Sequence, residues 1–425
     1  MKVLEVASGD FFSTYGGGQV YVKNIVDEMV RQGRDVAVVS FTGHGDMVER
    51  RDYHGIGLWE VGDGALDHLQ ETVEAIAPDV IHAHSHKAQV VEIGRKLGVP
   101  VVVTSHHGGI VCPAGTLMDC TDHTCRQVVN HRNCLRCVLR NTRGGLAVYP
   151  LLRLLPRRWY LRLGEWLSRL PFILFVSPFG GAARSIACKQ REWQTIIDGC
   201  SLMISPCREL AEAMERNGLR HNKVKILPHG IPLPAAVPSF PPIVDGDVKF
   251  FHVGRVCYVK GLHVLLEAFH RTCAPRAEMH LIGGSGNKTE ARYERMLCRR
   301  FKCDSRIIWH GKIPPEEVYK TIANLHVSSS SSYLEAFGLN IAESLAMGKP
   351  VLATRNGGAE MQVEDGVDGW LVPQNDVEAM RERMQWIVEN LHDYDTRRST
   401  SRVISIEEHC RKLWEIYEEL EVRNY

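Results

Sequence analysis

Apolar and polar residues follow one rhythm through the first half of the chain: a short apolar run, then a helix-length amphipathic stretch, then another apolar run. The runs are Met1–Ala7, Asp35–Ser40, Asp79–His84 and Pro100–His107, with amphipathic stretches at Val20–Gln32 and around Leu66–Ile76. Short runs rich in Val and Ile, separated by helical periodicity, predict a parallel sheet wrapped by helices. A strand at Ser201–Ser205, a helix at Arg208–Asn217 and a strand at Val224–Leu227 extend the series. Pro228–Asp247 then has repeated prolines and no period. Proline interrupts both helices and ladders, so this stretch is expected to hold a hinge, over 232–247.

The rhythm restarts after it. Val248–Val256, Glu278–Gly284, Arg306–Gly311, Ala323–Ser331 and Pro350–Arg355 read as strands, with helices predicted at Leu262–Arg271 and Thr289–Phe301. The chain is therefore expected to be α/β, with one Rossmann-like domain over 1–231 and a second over 248–404. A closing segment, 405–425, contains a predicted helix, Ile406–Val422, placed to return to the first domain.

Length agrees with this division, since 425 residues are too many for one average domain and enough for two. With 44% hydrophobic and 24% charged residues, fibrous and mostly disordered classes are excluded. The net charge of +1 points to no chain-wide electrostatic partner, but 126–169 is rich in arginine and poor in acids. The chain opens on an apolar strand rather than a basic region with a long apolar core, which predicts no secretory signal and a cytoplasmic protein. In that compartment several of the 13 cysteines, as at Cys188, Cys273 and Cys410, read as small buried hydrophobes. The longest apolar run, Leu170–Val176, falls far short of the roughly 20 residues of a membrane span.

Candidate chemistry gathers in the second half. Gly254-Arg255 and Lys260-Gly261 follow the strand residues Val248–Val253 and precede a helix. Two cations there suit a diphosphate and the charge it gains on leaving, against the alternative of a solvated turn. Tyr333–Glu343 follows a serine run, and a helix is expected to begin near Leu339 with its first amides unpaired. Glu335 in the loop and Glu343 a turn into that helix can accept hydrogen bonds from hydroxyls at two ends of one ligand.

Arg255 and Lys260, followed by Glu335-Ala336-Phe337-Gly338-Leu339 through Glu343, resemble the donor-site signature of the family 4 glycosyltransferases. The likeness continues through Ala346–Val351, Asn356–Glu360 and Gly366–Val372. It implies a GT-B fold, two Rossmann-like domains facing a central cleft, and transfer with retention from a nucleotide diphosphate sugar. It implies catalytic roles for Arg255, Lys260 and Glu335, and donor contacts from these three with Phe337, Gly338, Leu339 and Glu343. Gly17 and Gly18, after the first strand, resemble the family's N-terminal loop near the donor phosphates. His106 resembles the family histidine near the transferred sugar, with His107 as the competing choice. No cofactor is expected for catalysis. A nucleotide-sugar epimerase and an inactive sugar-nucleotide-binding subunit are the alternatives.

Two further segments stand outside this pattern. Over about 110–140, Cys120, Cys125, Cys134 and Cys137 are candidates for a structural zinc, the C-x-x-C pair Cys134/Cys137 forming half of a tetrahedral site. Reduced structural thiols are the alternative. Over about 150–170, arginines alternate with Trp159, Tyr160, Trp166 and leucines, which suits either an anionic inner-leaflet surface or a helix docked on its own domain. A glycan or lipid-linked acceptor, in polysaccharide or lipopolysaccharide assembly, would place the protein peripherally at that membrane. No nucleic-acid recognition motif accompanies the arginines.

Overall fold

The computed structural model describes residues 1–7, 9–12, 16–42, 45–140, 156, 159, 162–163, 166–167, 169, 178–244, 246–393 and 402–424. They form two compact units, Met1–Leu227 with Cys410–Tyr425, and Pro228–His409.

The first unit runs β1 (Lys2–Val6), α1 (Gly17–Arg31), β2 (Asp35–Phe41), β3 (Val48–Tyr53), β4 (Ile56–Val61), α2 (Leu69–Ile76), β5 (Val80–Ala83), α3 (Lys87–Leu97), β6 (Val101–Thr104), α4 (His131–Arg140), α5 (Pro178–Gly199), β7 (Leu202–Ser205), α6 (Arg208–Arg216) and β8 (Val224–Ile226). Its eight strands are ordered β3-β4-β2-β1-β5-β6-β7-β8. All neighbours are parallel except β3 and β4. The valines and isoleucines of β1, β5 and β6 are almost wholly buried; fully burying such a side chain is worth roughly 1.5–3 kcal/mol. The sequence gives no sign of β3. Its inner residues, Glu49 to Asp52, are all exposed, and this edge strand exists through pairing with β4 rather than through a buried face.

The second unit runs β9 (Lys249–Val253), α7 (Leu262–His270), β10 (Glu278–Ile282), α8 (Lys288–Arg300), β11 (Ile307–Gly311), α9 (Pro315–Ala323), β12 (Val327–Ser330), α10 (Leu339–Ala346), β13 (Val351–Thr354), α11 (Gly357–Gln362), β14 (Gly369–Val372) and α12 (Val377–Asn390). Its all-parallel sheet is ordered β11-β10-β9-β12-β13-β14. Strand order reverses between β9 and β12, the position at which open α/β sheets hold ligands beyond the strand carboxyl ends. The core beneath is apolar, with Phe250, Leu265, Phe269, Met279, Leu352 and Met384 buried together.

The segment 232–247 is the one expected to hold the hinge. It belongs to the second unit, and Phe240 and Ile243 pack on that unit's core. Proline keeps the segment irregular, but two apolar side chains are enough to tie it down. The last helix, α13 (Ile406–Asn424), enters the first unit from Cys410 onward. There Trp414 lies under the Arg34 guanidinium at 4.6 Å, and the Tyr417 hydroxyl donates to Glu5 at 3.0 Å.

Candidate active site

In the second unit, the turn after β9 and the loop after β12 meet at the strand switch. Gly261 makes this approach possible. It takes φ +63°, and a Cβ there would stand 2.1 Å from the Ser331 carbonyl oxygen. Ser331 Oγ donates to the Lys260 carbonyl at 2.9 Å, and the Tyr333 amide donates to the Val259 carbonyl at 2.9 Å. Lys260 Nζ is thereby held in an ion pair with Glu335 Oε1, which also accepts from Ser332 Oγ at 2.7 Å. Both side chains are mostly buried, at 18% and 10% exposed.

The Glu335 loop is fastened from behind by α11. Gly358 N donates to the Glu335 carbonyl at 2.9 Å, and a Cβ on Gly358 would meet the Phe337 oxygen at 2.4 Å. Gln362 Nε2 donates to the Phe337 carbonyl. Gly338, at φ +85°, opens α10, and no side chain caps that helix. The first helical residue is Leu339, as expected, so its amide end follows directly on the Glu335 loop. The Phe337 side chain faces the core. Its ring is buried against Ile231 and Ala342 and lies 5.2 Å from the His229 ring, leaving its backbone as the part the loop presents.

Arg255 stands apart from the Lys260–Glu335 pair, with Nη1 3.3 Å from Glu290 Oε1 and its side chain 56% exposed. Glu343 has no hydrogen-bond partner among the described residues, and burial raises its carboxyl to about 7. Three further buried polar atoms lack a partner there: His252 Nε2 at the end of β9, Ser329 Oγ on β12 and Asn340 Nδ2 in the first turn of α10. His252 Nδ1 contacts the Ser329 carbonyl at 3.0 Å, so the proton is on Nδ1 and Nε2 is a bare acceptor. Burial and the neighbouring Lys260 lower this imidazole to about 4.

In the first unit, Gly17 and Gly18 form the first turn of α1. His106 and His107 follow β6 and are used differently. His107 Nδ1 accepts from the Gly109 amide at 3.0 Å and caps a short turn. His106 Nε2 lies 2.9 Å from His84 Nδ1. Behind His84 is a closed polar cluster, in which Glu5 Oε2 is 2.8 Å from His84 Nε2 and 3.2 Å from His82 Nδ1. His82 Nε2 is 2.7 Å from Thr104 Oγ1, and Tyr417 Oη is 2.6 Å from His82 Nδ1. Burial alone would raise the Glu5 carboxyl, but His82 and His84 outweigh it and hold it well below its ordinary value.

Among the described residues, Glu5, His82 and His84 are the one group of three metal-ligating side chains with ligand atoms within 4.8 Å of one another. Their donors and acceptors are already matched by hydrogen bonds. The insertion's cysteines are all reduced. Cys120 lies within, and Cys125 directly after, a tight antiparallel turn closed by Met118 and Thr124, while Cys134 and Cys137 lie in α4. Burial first, and neighbouring thiols second, push Cys134 and Cys137 up to about 12. Cys112 is among those neighbours for both and for Cys125, a contribution the C-x-x-C spacing does not reveal. The thiol chemistry suits zinc, but no three of these sulfurs meet the 4.8 Å spacing. Most of the basic stretch over about 150–170 lies outside the described residues; of it, Trp159 and Trp166 are exposed. No described helix is long and apolar enough to cross a membrane.

Residues 15–233 match the sequence family described as Glycosyltransferase Family 4, and residues 238–402 match Glycosyl transferases group 1. The chain belongs to glycosyltransferase family 4. Sucrose synthase of Acidithiobacillus caldus is 34% identical over 149 residues, 31% of this chain and 19% of the relative. A D-inositol 3-phosphate glycosyltransferase of Corynebacterium diphtheriae is 31% identical over 192 residues, 44% of this chain and 41% of the relative. The O-antigen chain mannosyltransferase C of Escherichia coli is 30% identical over 148 residues, 34% and 38%. The matches thus span less than half the length of these curated relatives. Among solved structures, sucrose-phosphate synthase from Thermosynechococcus elongatus superposes with a TM-score of 0.68 at 17% identity, covering 100% of both chains. Anabaena Alr3699/HepE, in complex with UDP and glucose, superposes with 0.64 at 17%, covering 98% of this chain and 99% of its own. The fold of this family 4 chain is GT-B.

Sequence reasoning passed over His252, Glu5 and His84 in this family 4 chain. Each left a trace, because each is a titratable residue in or directly after a buried strand, where an unpaired polar group is costly.

Proposed function

We propose that this family 4 chain is a retaining glycosyltransferase that takes a sugar from a nucleotide diphosphate sugar and passes it to a glycan or lipid-linked acceptor during surface polysaccharide assembly. What carries the reading is Glu335, paired with Lys260 from the turn after β9, on the same short segment as an enclosed, unpartnered Glu343. A diphosphate needs cations, and vicinal hydroxyls need carboxylates that accept. Lys260, with Arg255 beside the same turn and the uncapped end of α10, would stabilise the charge on the departing diphosphate. Glu335 would orient the sugar hydroxyls and Glu343 would accept from the ribose. The acceptor hydroxyl attacks on the face the nucleotide leaves, and its proton passes to a phosphate oxygen of the leaving group. We assign His106 the sugar-contacting role that the family resemblance gives it. The acceptor class draws support from the O-antigen mannosyltransferase among the relatives.

Melting the protein in the presence of UDP-, GDP-, ADP- and CMP-sugars tests the donor assignment, since a ligand that binds only the folded state raises the melting temperature. One nucleotide series is expected to stabilise wild type and, at the same concentration, to stabilise Glu343→Gln less. No stabilisation by any of them would sink the assignment. The anomeric configuration of the product, read by NMR, tests retention.

For the insertion we propose a structural zinc held by four of Cys112, Cys120, Cys125, Cys134 and Cys137. Metal analysis of purified wild type should find about one zinc per chain, lost together with thermal stability in Cys134→Ser. A metal-free wild type that melts like Cys134→Ser would leave reduced thiols as the answer.

A further inference from the structure

We infer that Glu5 and His84 are positioning residues that fix the tautomer and orientation of His106, with Tyr417 of α13 as the outer anchor of the same relay. This rests on the reading of His106 given above. It turns an isolated histidine after β6 into the end of a four-residue chain drawn from three strand segments and the last helix.

The direction of every proton in the chain follows from the distances. Glu5 offers only acceptors. Its Oε1 takes the Tyr417 hydroxyl proton at 3.0 Å, and its Oε2 lies 2.8 Å from His84 Nε2. The proton of His84 must therefore be on Nε2. Burial lowers the His84 imidazole to about 3, so at neutral pH it has one proton only. Nδ1 of His84 is then a bare acceptor, and it faces His106 Nε2 at 2.9 Å. A contact of that length requires a proton between the two nitrogens, and it belongs to His106. His106 is accordingly the Nε2–H tautomer, with Nδ1 as the ring's lone-pair nitrogen. Should His106 gain a proton at Nδ1 during turnover, the Nε2–H bond to His84 is kept and the Glu5 charge two groups away favours the cation.

The surroundings support a fixed rather than a mobile ring. Glu5, His82, His84 and Tyr417 are at most 2% exposed. The Tyr21 ring stands edge-on to His106 at 5.4 Å, and the His84 ring lies nearly parallel to it at 5.1 Å. In metal sites a carboxylate that fixes a ligand histidine's tautomer contributes roughly 10- to 100-fold, and an effect of the same order is expected here.

Nitrogen-15 NMR of histidine-labelled full-length protein tests the tautomer without an assay, using His106→Ala to assign the ring. His106 Nε2 is expected at the shift of a protonated imidazole nitrogen and Nδ1 at that of an unprotonated one. The reverse pattern would overturn the relay. Glu5→Gln can present an amide proton to His84 Nε2, and should shift His106 toward Nδ1–H. The same variant should lower kcat by about 10- to 100-fold, with the donor KM changed less than about threefold. Turnover is followed as nucleotide diphosphate released from whichever of UDP-glucose, UDP-galactose, GDP-mannose and ADP-glucose is used fastest. Tyr417→Phe keeps the ring packing if Glu5→Gln fails to fold, and should lower kcat about fivefold. An unchanged tautomer and kcat in the folded variants would overturn the positioning role. The reading beneath it is tested apart: full activity in His106→Ala would remove His106 from the reaction, while the wild-type tautomer would still report the relay.

Discussion

The two units hold polar groups at the carboxyl ends of their strands in opposite ways. In the first, Glu5, His82, His84, Thr104 and Tyr417 are matched to one another. In the second, Lys260 and Glu335 are paired, while Glu343, His252 Nε2, Ser329 Oγ and Asn340 Nδ2 have no partner among the described residues. An unmatched buried polar group costs about 1–3 kcal/mol. A fold that leaves several in one neighbourhood is arranged for a ligand that will match them. A closed cluster instead fixes geometry, and in the function proposed above it reaches the ligand only through its rim, at His106.

The comparison breaks first at Lys260. Replacing it with alanine should lower turnover by about 10³-fold, the effect of removing one well-placed charge stabiliser. Melting should fall as well, because Glu335 is left mostly buried without its cation, so turnover is compared at a temperature where both proteins are folded. Wild-type turnover in Lys260→Ala would show that the second unit's site is not where charge develops.

The closed cluster should show itself in acid. The His84 imidazole lies below its ordinary 6.5, at about 3, so the unfolded chain takes up a proton there before the folded one does. Its contribution is present above pH 6.5 and is lost as pH falls, by about 3 kcal/mol between 6.5 and 4. Glu5 adds to the loss at lower pH, because its folded carboxylate is held ionised. Denaturant unfolding at pH 7, 5.5 and 4 should be steeply pH-dependent in wild type and shallower in His84→Asn, which starts less stable but has no proton to gain. Parallel pH curves would mean that the cluster is not what acid attacks.

How much of this was legible in the sequence follows the same division. Periodicity located β1, β5, β9, β12 and their helices because those strands are buried on both faces and must be apolar throughout. It missed β3, whose residues are polar and exposed and whose pairing depends on β4 alone. At the site, Lys260, Gly261, Glu335 and Gly338 could be read because turn geometry and charge leave marks on consecutive residues. Which part of Phe337 the loop presents could not be read, since sequence cannot say which side of a loop faces the core. The Glu5–His84–His106 chain was invisible for another reason: its members are 79 and 22 residues apart, and only sheet order brings them together.

Glu343 gives the finest test, with an effect opposite in sign to that of His84. Its carboxyl is enclosed although the residue keeps part of its surface exposed, and burial raises it from 4.5 to about 7. For a carboxyl raised in the fold, stability is fully present below the unfolded value and declines as pH rises toward the folded one. Glu343→Gln removes that penalty. The variant should be more stable than wild type by about 2 kcal/mol at pH 8, after discounting for the partial exposure, and no more stable at pH 4. It should at the same time raise the donor KM by about tenfold, because the amide accepts less strongly than the carboxylate. A gain in stability without any loss of donor binding would mean that Glu343 is merely a strained carboxyl, and that the openness of the second unit's site serves something other than the nucleotide.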